Sequence, residues 1–95
     1  LRIQWTKAAS NDLDSIEEYS WKDNPQTAIK QVLMVIDAVE QKIARTPQIG
    51  KRGRIPNTRE FYITGTPYIA AYRITGDVIE VLRVIHGARR WPDEM

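Results

Sequence analysis

Residues 58 to 86 constrain this chain most. They read TREFYITGTPYIAAYRITGDVIEVLRVIH, three short β-prone runs cut by Thr64-Gly65-Thr66-Pro67 and by Gly76-Asp77. Gly, Pro and Asp supply the backbone angles that tight turns require. Connections this short join antiparallel neighbours, so residues 58–64, 67–75 and 78–86 are expected to form a three-stranded meander. In the second run Tyr68, Ala70, Tyr72 and Ile74 alternate with Ile69, Ala71 and Arg73. In the third, Val78, Leu82 and Val84 alternate with Ile79, Val81 and Ile85. Both faces of the sheet are therefore largely apolar. Helices can cover one of them, and an apolar patch left in water on the other is unfavourable. A partner protein is expected on that open face.

The first half supplies the helices. Leu1, Ile3 and Trp5 alternate with Arg2 and Gln4, the period of a half-buried strand. Thr6 suits the cap of a following helix. Residues 7–22 place Ala9, Leu13, Ile16 and Ser20 on one helical face, with Asp12, Asp14, Glu17 and Glu18 mostly elsewhere. Asn24-Pro25 marks a break and a restart, an N-cap followed by a proline where no N–H is needed. Over residues 25–45, Ala28, Val32, Val35, Ile36, Val39 and Ile43 make a continuous apolar stripe. Two helices this close form an antiparallel hairpin. Residues 46–57, TPQIGKRGRIPN, read as a loop long enough to carry function. The expected class is α+β, with an N-terminal strand, a helix hairpin and the meander. The helices lie on one face of a four-stranded sheet. The 95 residues form one domain, 1–95, with room for one modest core.

The chain has no cysteine, which excludes disulfides and thiolate metal sites. No apolar run is long enough to span a bilayer and no signal-peptide pattern opens the chain, so a cytoplasmic setting is expected. A net charge of +2 hides an asymmetry. Residues 1–45 hold six basic and seven acidic side chains. Residues 46–92 hold Lys51, Arg52, Arg54, Arg59, Arg73, Arg83, Arg89 and Arg90 against Glu60, Asp77 and Glu80, a balance of +5. Such a field favours an anionic partner: nucleic acid, the ribosome or an acidic protein segment.

His86 is the only histidine. At a strand end beside Arg83, Arg89 and Arg90 it is placed to act as a general acid or base. The guanidinium groups there are suited to clamping a phosphate. Proton transfer together with phosphate clamping is what RNA cleavage through a 2′-hydroxyl needs. The alternative is a histidine hydrogen-bonded at a strand end, without chemistry. Arg73 either pairs with Glu60 or Glu80 across strands or joins the anion site on the open face. Lys51, Arg52 and Arg54 form a solvated loop cluster or a backbone-contacting one, and Arg59 can join either group. Trp91 either plugs the sheet edge or anchors in a partner. There is no glycine-rich phosphate loop, no His–Glu metal spacing and no serine beside a histidine. No cofactor or metal is expected.

The order strand, helix hairpin, loop, meander resembles the RelE/ParE superfamily of bacterial toxins. The resemblance rests on the pattern around Asp12-Leu13 and Ile16, Pro47-x-x-Gly50, Arg59-Glu60, Gly65-Thr66-Pro67-Tyr68, Tyr72-Arg73, and above all Arg83-Val84-Ile85-His86-Gly87-Ala88-Arg89. It covers essentially the whole chain. It implies the toxin of a type II toxin–antitoxin, or plasmid-stabilisation, module. A small antitoxin with a DNA-binding part and a wrapping tail would hold it inactive in a hetero-oligomeric complex. RelE-like members cut mRNA in the ribosomal A site, whereas ParE-like members inhibit DNA gyrase and are not known to need nuclease residues. By position Arg59, Arg73, His86 and Arg89 match the basic places of the nuclease group and would be catalytic there. Lys51, Arg52, Arg54, Arg83, Arg90 and Trp91 would contact the target. Several nucleases carry a tyrosine or second acid–base residue near the last strand, where this chain has Gly87-Ala88 and then Arg89, Arg90 and Trp91. The tail resembles ParE-like chains more closely. The resemblance therefore implies a gyrase-inhibiting toxin; the chain would not be an enzyme as a ParE-like member and would be one as a RelE-like member. A ribosome-dependent endoribonuclease is the alternative, and a non-toxic binding module is a third reading.

Overall fold

The computed structural model describes residues 1–21 and 24–93. Strand β1 (Arg2–Trp5) leads into helices α1 (Lys7–Trp21) and α2 (Pro25–Asp37). Strands β2 (Lys51–Arg52), β3 (Arg59–Tyr62), β4 (Tyr68–Thr75) and β5 (Val78–His86) follow. The expected end of the first helix at Lys22, and the side chain of Ser20, lie outside the described residues. No helix of the described residues is long and apolar enough to cross a membrane.

Local chemistry sets the helix starts. The Thr6 hydroxyl accepts the Ala9 N–H at 3.1 Å and donates to the Leu82 carbonyl at 2.9 Å. The cap of α1 is thereby fastened to β5. Asn24 Oδ1 accepts from the N–H groups of Gln26 at 3.0 Å and Thr27 at 3.4 Å, with Pro25 at the first helical position. Beyond Asp37 the helix widens over Ala38–Ile43, and the Ala44 N–H reaches the Val39 carbonyl at 3.0 Å. Ala38, Val39 and Ile43 are all buried in this wide segment.

The strands form one sheet of five in the order β1-β5-β4-β3-β2. β1 runs parallel to β5, and the other pairs are antiparallel. The four expected strands are all present, and a fifth, short one joins them. Lys51–Arg52, read as loop, is a two-residue edge strand paired with β3. Composition could not show it, because what holds it is distant in sequence. The buried Tyr72 hydroxyl donates to the Pro47 carbonyl at 2.7 Å and accepts the Gly50 N–H at 2.9 Å. A Cβ on Gly50 would sit 2.6 Å from that hydroxyl, so this close approach needs glycine.

The core lies between the helices and one face of the sheet. Ala9, Ile16, Val35, Val39 and Ile43 meet Tyr68, Ala70, Tyr72, Ile79, Val81 and Val84 there. Fully burying a side chain such as Ile43 contributes about 1.5–3 kcal/mol. The strict alternation expected in β5 breaks at Leu82. Tyr72 pairs with Val81, but Ala71 pairs with Arg83, so Leu82 is the extra residue of a bulge. Ile79 and Val81 face the helices before the bulge, and Val84 and His86 share the face of Ala70 and Tyr68 after it.

The open face differs from the expectation too. Ile69, Ala71 and Ile85 form a second cluster, and the chain's own Trp91 packs onto it at 9% exposure. Among the described residues, the large exposed apolar side chains of the helices include Tyr19, Ile29 and Leu33. The helix hairpin therefore also presents apolar side chains to a partner.

Candidate functional site

β5 ends in a tight turn that fixes His86. The Gly87 N–H donates to the Pro67 carbonyl at 2.8 Å, and the Arg89 N–H to the His86 carbonyl at 3.0 Å. The His86 ring meets Tyr68, its partner across the strands, edge to face at 5.6 Å between centroids. Its Nδ1 accepts the Ala88 N–H at 3.0 Å. A backbone N–H can only donate, so in the neutral ring the hydrogen lies on Nε2. The open nitrogen of His86 is then a donor. Burial pushes the Tyr68 phenol above its ordinary pKa.

A cleft of about 590 Å³ runs past this turn. His86, Arg83, Arg89, Arg90 and Trp91 line it, with Asp12, Tyr19 and Tyr68. The Asp12 carboxylate takes the Arg83 guanidinium at both oxygens, 2.7 and 2.9 Å, and also accepts the Val84 N–H at 2.9 Å. The hydrogen bond from Arg83 to Asp12 holds the guanidinium above its ordinary pKa. Arg83 is therefore partnered inside the molecule by a residue of α1.

A second cleft, at the other end of β4, is lined by Arg52, Arg54, Arg59 and Arg73. Three of these arginines are also engaged. Arg73 Nε donates to Glu80 at 2.7 Å, realising one of the two cross-strand pairs foreseen for it. Arg59 donates to the Gly50 carbonyl at 2.7 Å. Arg54 meets the buried Glu60 carboxylate through Nε and one terminal nitrogen, both at 3.1 Å, and through its backbone N–H at 2.7 Å. Burial pulls the Glu60 carboxyl upward. The hydrogen bonds from Arg54, with its charge and that of Lys51, outweigh burial and hold the carboxyl below its ordinary value. The same hydrogen bond raises the Arg54 guanidinium. The Arg54 guanidinium lies over the Trp91 ring, 3.8 Å from its centroid. Lys51 lies over the Tyr62 ring at 4.6 Å.

The structure thus divides the residues singled out in the sequence. His86 and Arg89 share the first cleft, while Arg59 and Arg73 share the second. Tyr68 faces His86 and Arg73 lies five residues further along β4, about 17 Å away. Among the described residues, Arg52, Arg89 and Arg90 are exposed and have no carboxylate partner. Sequence reasoning did not place Asp12 or Tyr68 at this cleft. The register of β4 on β5 is the signal that would have found Tyr68. No group of three or more His, Cys, Asp or Glu among the described residues is arranged to hold a metal ion.

Element order, helix hairpin and a mixed five-stranded sheet together define a small α+β fold that this chain shares with chains of the ParDE and RelBE2 toxin–antitoxin systems. A family model described as ParE toxin of type II toxin–antitoxin system, parDE, matches residues 3–91. The chain belongs to this ParE toxin family. It is 43% identical over 91 residues to "Putative toxin Y4kP" of Sinorhizobium fredii, covering 96% of this chain and 93% of that one. Among solved structures, it superposes with a TM-score of 0.80 on a chain of the chromosomal ParDE toxin–antitoxin system of P. aeruginosa. That match is 28% identical and covers 90% of this chain and 95% of the other. A chain of the RelBE2 toxin–antitoxin complex of Mycobacterium tuberculosis shares the fold at a TM-score of 0.66, 21% identity and the same coverage.

Proposed function

We propose that this toxin is held by a cognate antitoxin and, once released, arrests growth by inhibiting DNA gyrase without cutting nucleic acid. The antitoxin is supported by the solved relatives, which come from toxin–antitoxin systems. The exposed Ile29 and Leu33 of α2 offer such a partner an apolar surface. One observation carries the choice of gyrase over mRNA. Cleavage through a 2′-hydroxyl needs a base, an acid and charge stabilisation converging on one phosphate. Here His86 has Nδ1 occupied, Arg73 and Arg83 are ion-paired, and the four nuclease-group positions fall in two clefts.

The experiment is a supercoiling assay with purified gyrase and purified toxin, with and without equimolar antitoxin. Inhibition that the antitoxin relieves is expected. Full supercoiling at saturating toxin would remove the gyrase reading. A second reading, ribosome-dependent mRNA cleavage, draws on the shared cleft of His86, Arg89 and Arg90. It requires cleavage on programmed ribosomes that His86→Ala lowers by orders of magnitude. Intact mRNA in that assay removes it.

A further inference from the structure

The tail after β5 is held in an unusual way. Among the described residues its backbone hydrogen bonds stop at Arg89, yet Trp91 is 9% exposed on Ile69, Ala71 and Ile85. Its indole Nε1 is buried with no hydrogen-bond partner. Lifting Trp91 would return that N–H to water, so apolar contact alone is a weak hold. What closes over the ring is Arg54, at 3.8 Å. Arg54 cannot swing freely, because Glu60 takes it at three points, and Glu60 is 3% exposed on β3. A line of contacts therefore runs from the sheet through a loop arginine to the tail. Planar guanidinium groups suit this double use, since the fork binds the carboxylate while the flat face stacks on the indole.

We propose that Glu60, Arg54 and Trp91 form a latch that seats residues 87–93 across the open face. Glu60 is its positioning residue. The latch fixes where Arg89 and Arg90 are presented along the His86 cleft. In this geometry Arg54 is the clasp of the tail, and its cationic face is spent on Trp91. The functional consequence rests on the gyrase reading above, but the latch itself does not.

The test uses the full chain carrying Trp5→Phe and Trp21→Phe, so that Trp91 is the sole indole. Acrylamide quenching of Trp91 and the initial rate of trypsin clipping after Arg90, read by mass, report the seat. Glu60→Gln is expected to raise both, the clipping rate by about tenfold, because local opening sets it. Arg54→Met, at a half-exposed side chain, should do the same and serves if Glu60→Gln fails to fold. Glu80→Gln breaks a different ion pair on the sheet and should leave both readings unchanged. Unchanged quenching and clipping in a folded Glu60→Gln or Arg54→Met chain overturns the latch, as does an equal rise in Glu80→Gln. In the supercoiling assay Glu60→Gln should need about tenfold more toxin, the scale of losing one anchoring contact. An opened tail with undiminished inhibition overturns the positioning role. If the unaltered toxin fails to inhibit gyrase, the gyrase reading falls, and quenching and clipping still decide the latch.

Discussion

Two buried side chains show how single residues carry this structure. Glu60 sits at 3% exposure with its carboxyl held below the ordinary value of 4.5. A carboxyl lowered in the folded state adds stability above its unfolded pKa and loses it as pH falls through the folded one. Acid unfolding monitored by circular dichroism should therefore steepen below about pH 4.5, and Glu60→Gln should flatten that limb. Tyr72 bridges Pro47 and Gly50 from inside the core. Tyr72→Phe leaves a carbonyl and an N–H without their partner and should cost about 1–3 kcal/mol in urea unfolding. Neither arrangement is visible in the sequence. Cross-strand reasoning offered Glu60 to Arg73, but the loop brings Arg54 to it first, and Arg73 takes Glu80. Loop geometry decided the pairing, and no spacing rule encodes it.

At the level of elements, whatever depends on neighbouring residues was legible. Thr6 caps α1, Asn24 and Pro25 open α2, and Gly76, at a φ of 60°, turns β4 into β5. The two helices and the three strands of the meander stand where periodicity and turn residues placed them. The bulge at Leu82 was not legible, and it matters most for the site. Counting back from the Gly76-Asp77 turn without it sets His86 opposite Pro67 and moves Arg83 to the helix side. One extra residue shifts every later side chain by a face. Past that bulge β1 no longer flanks β5, and Asp12 of α1 takes over, accepting the Val84 N–H as well as Arg83. Asp12→Ala should destabilise the fold by about 1–3 kcal/mol, since charge-assisted bonds and a strand N–H lose their partner together. A double-mutant cycle with Arg83→Ala should show a coupling that 1 M salt only partly removes, because the pair is partly buried.

Across the whole molecule, folding redistributes charge. The second half carries a balance of +5, which read as a field aimed outward. Folding turns Arg54, Arg73 and Arg83 onto Glu60, Glu80 and Asp12, and leaves Arg89 and Arg90 as the exposed cations of the His86 cleft. Composition counts charges, but only the fold says which are already answered. The tail that bears these two cations rests on a small patch of sheet, so it should open before the rest. In a urea series, clipping after Arg90 should begin at lower denaturant than the loss of far-ultraviolet dichroism. Coincident curves would tie the tail to global unfolding. Topology adds a last consequence. β5, which lies between β1 and β4, is the fifth of five strands in chain order. A nascent polypeptide thus exposes the helix hairpin and two waiting strand edges until the codons for residues 78–86 have been read. The toxin cannot close early. An assistant that binds the greasy hairpin during synthesis would meet it before it is capable of harm.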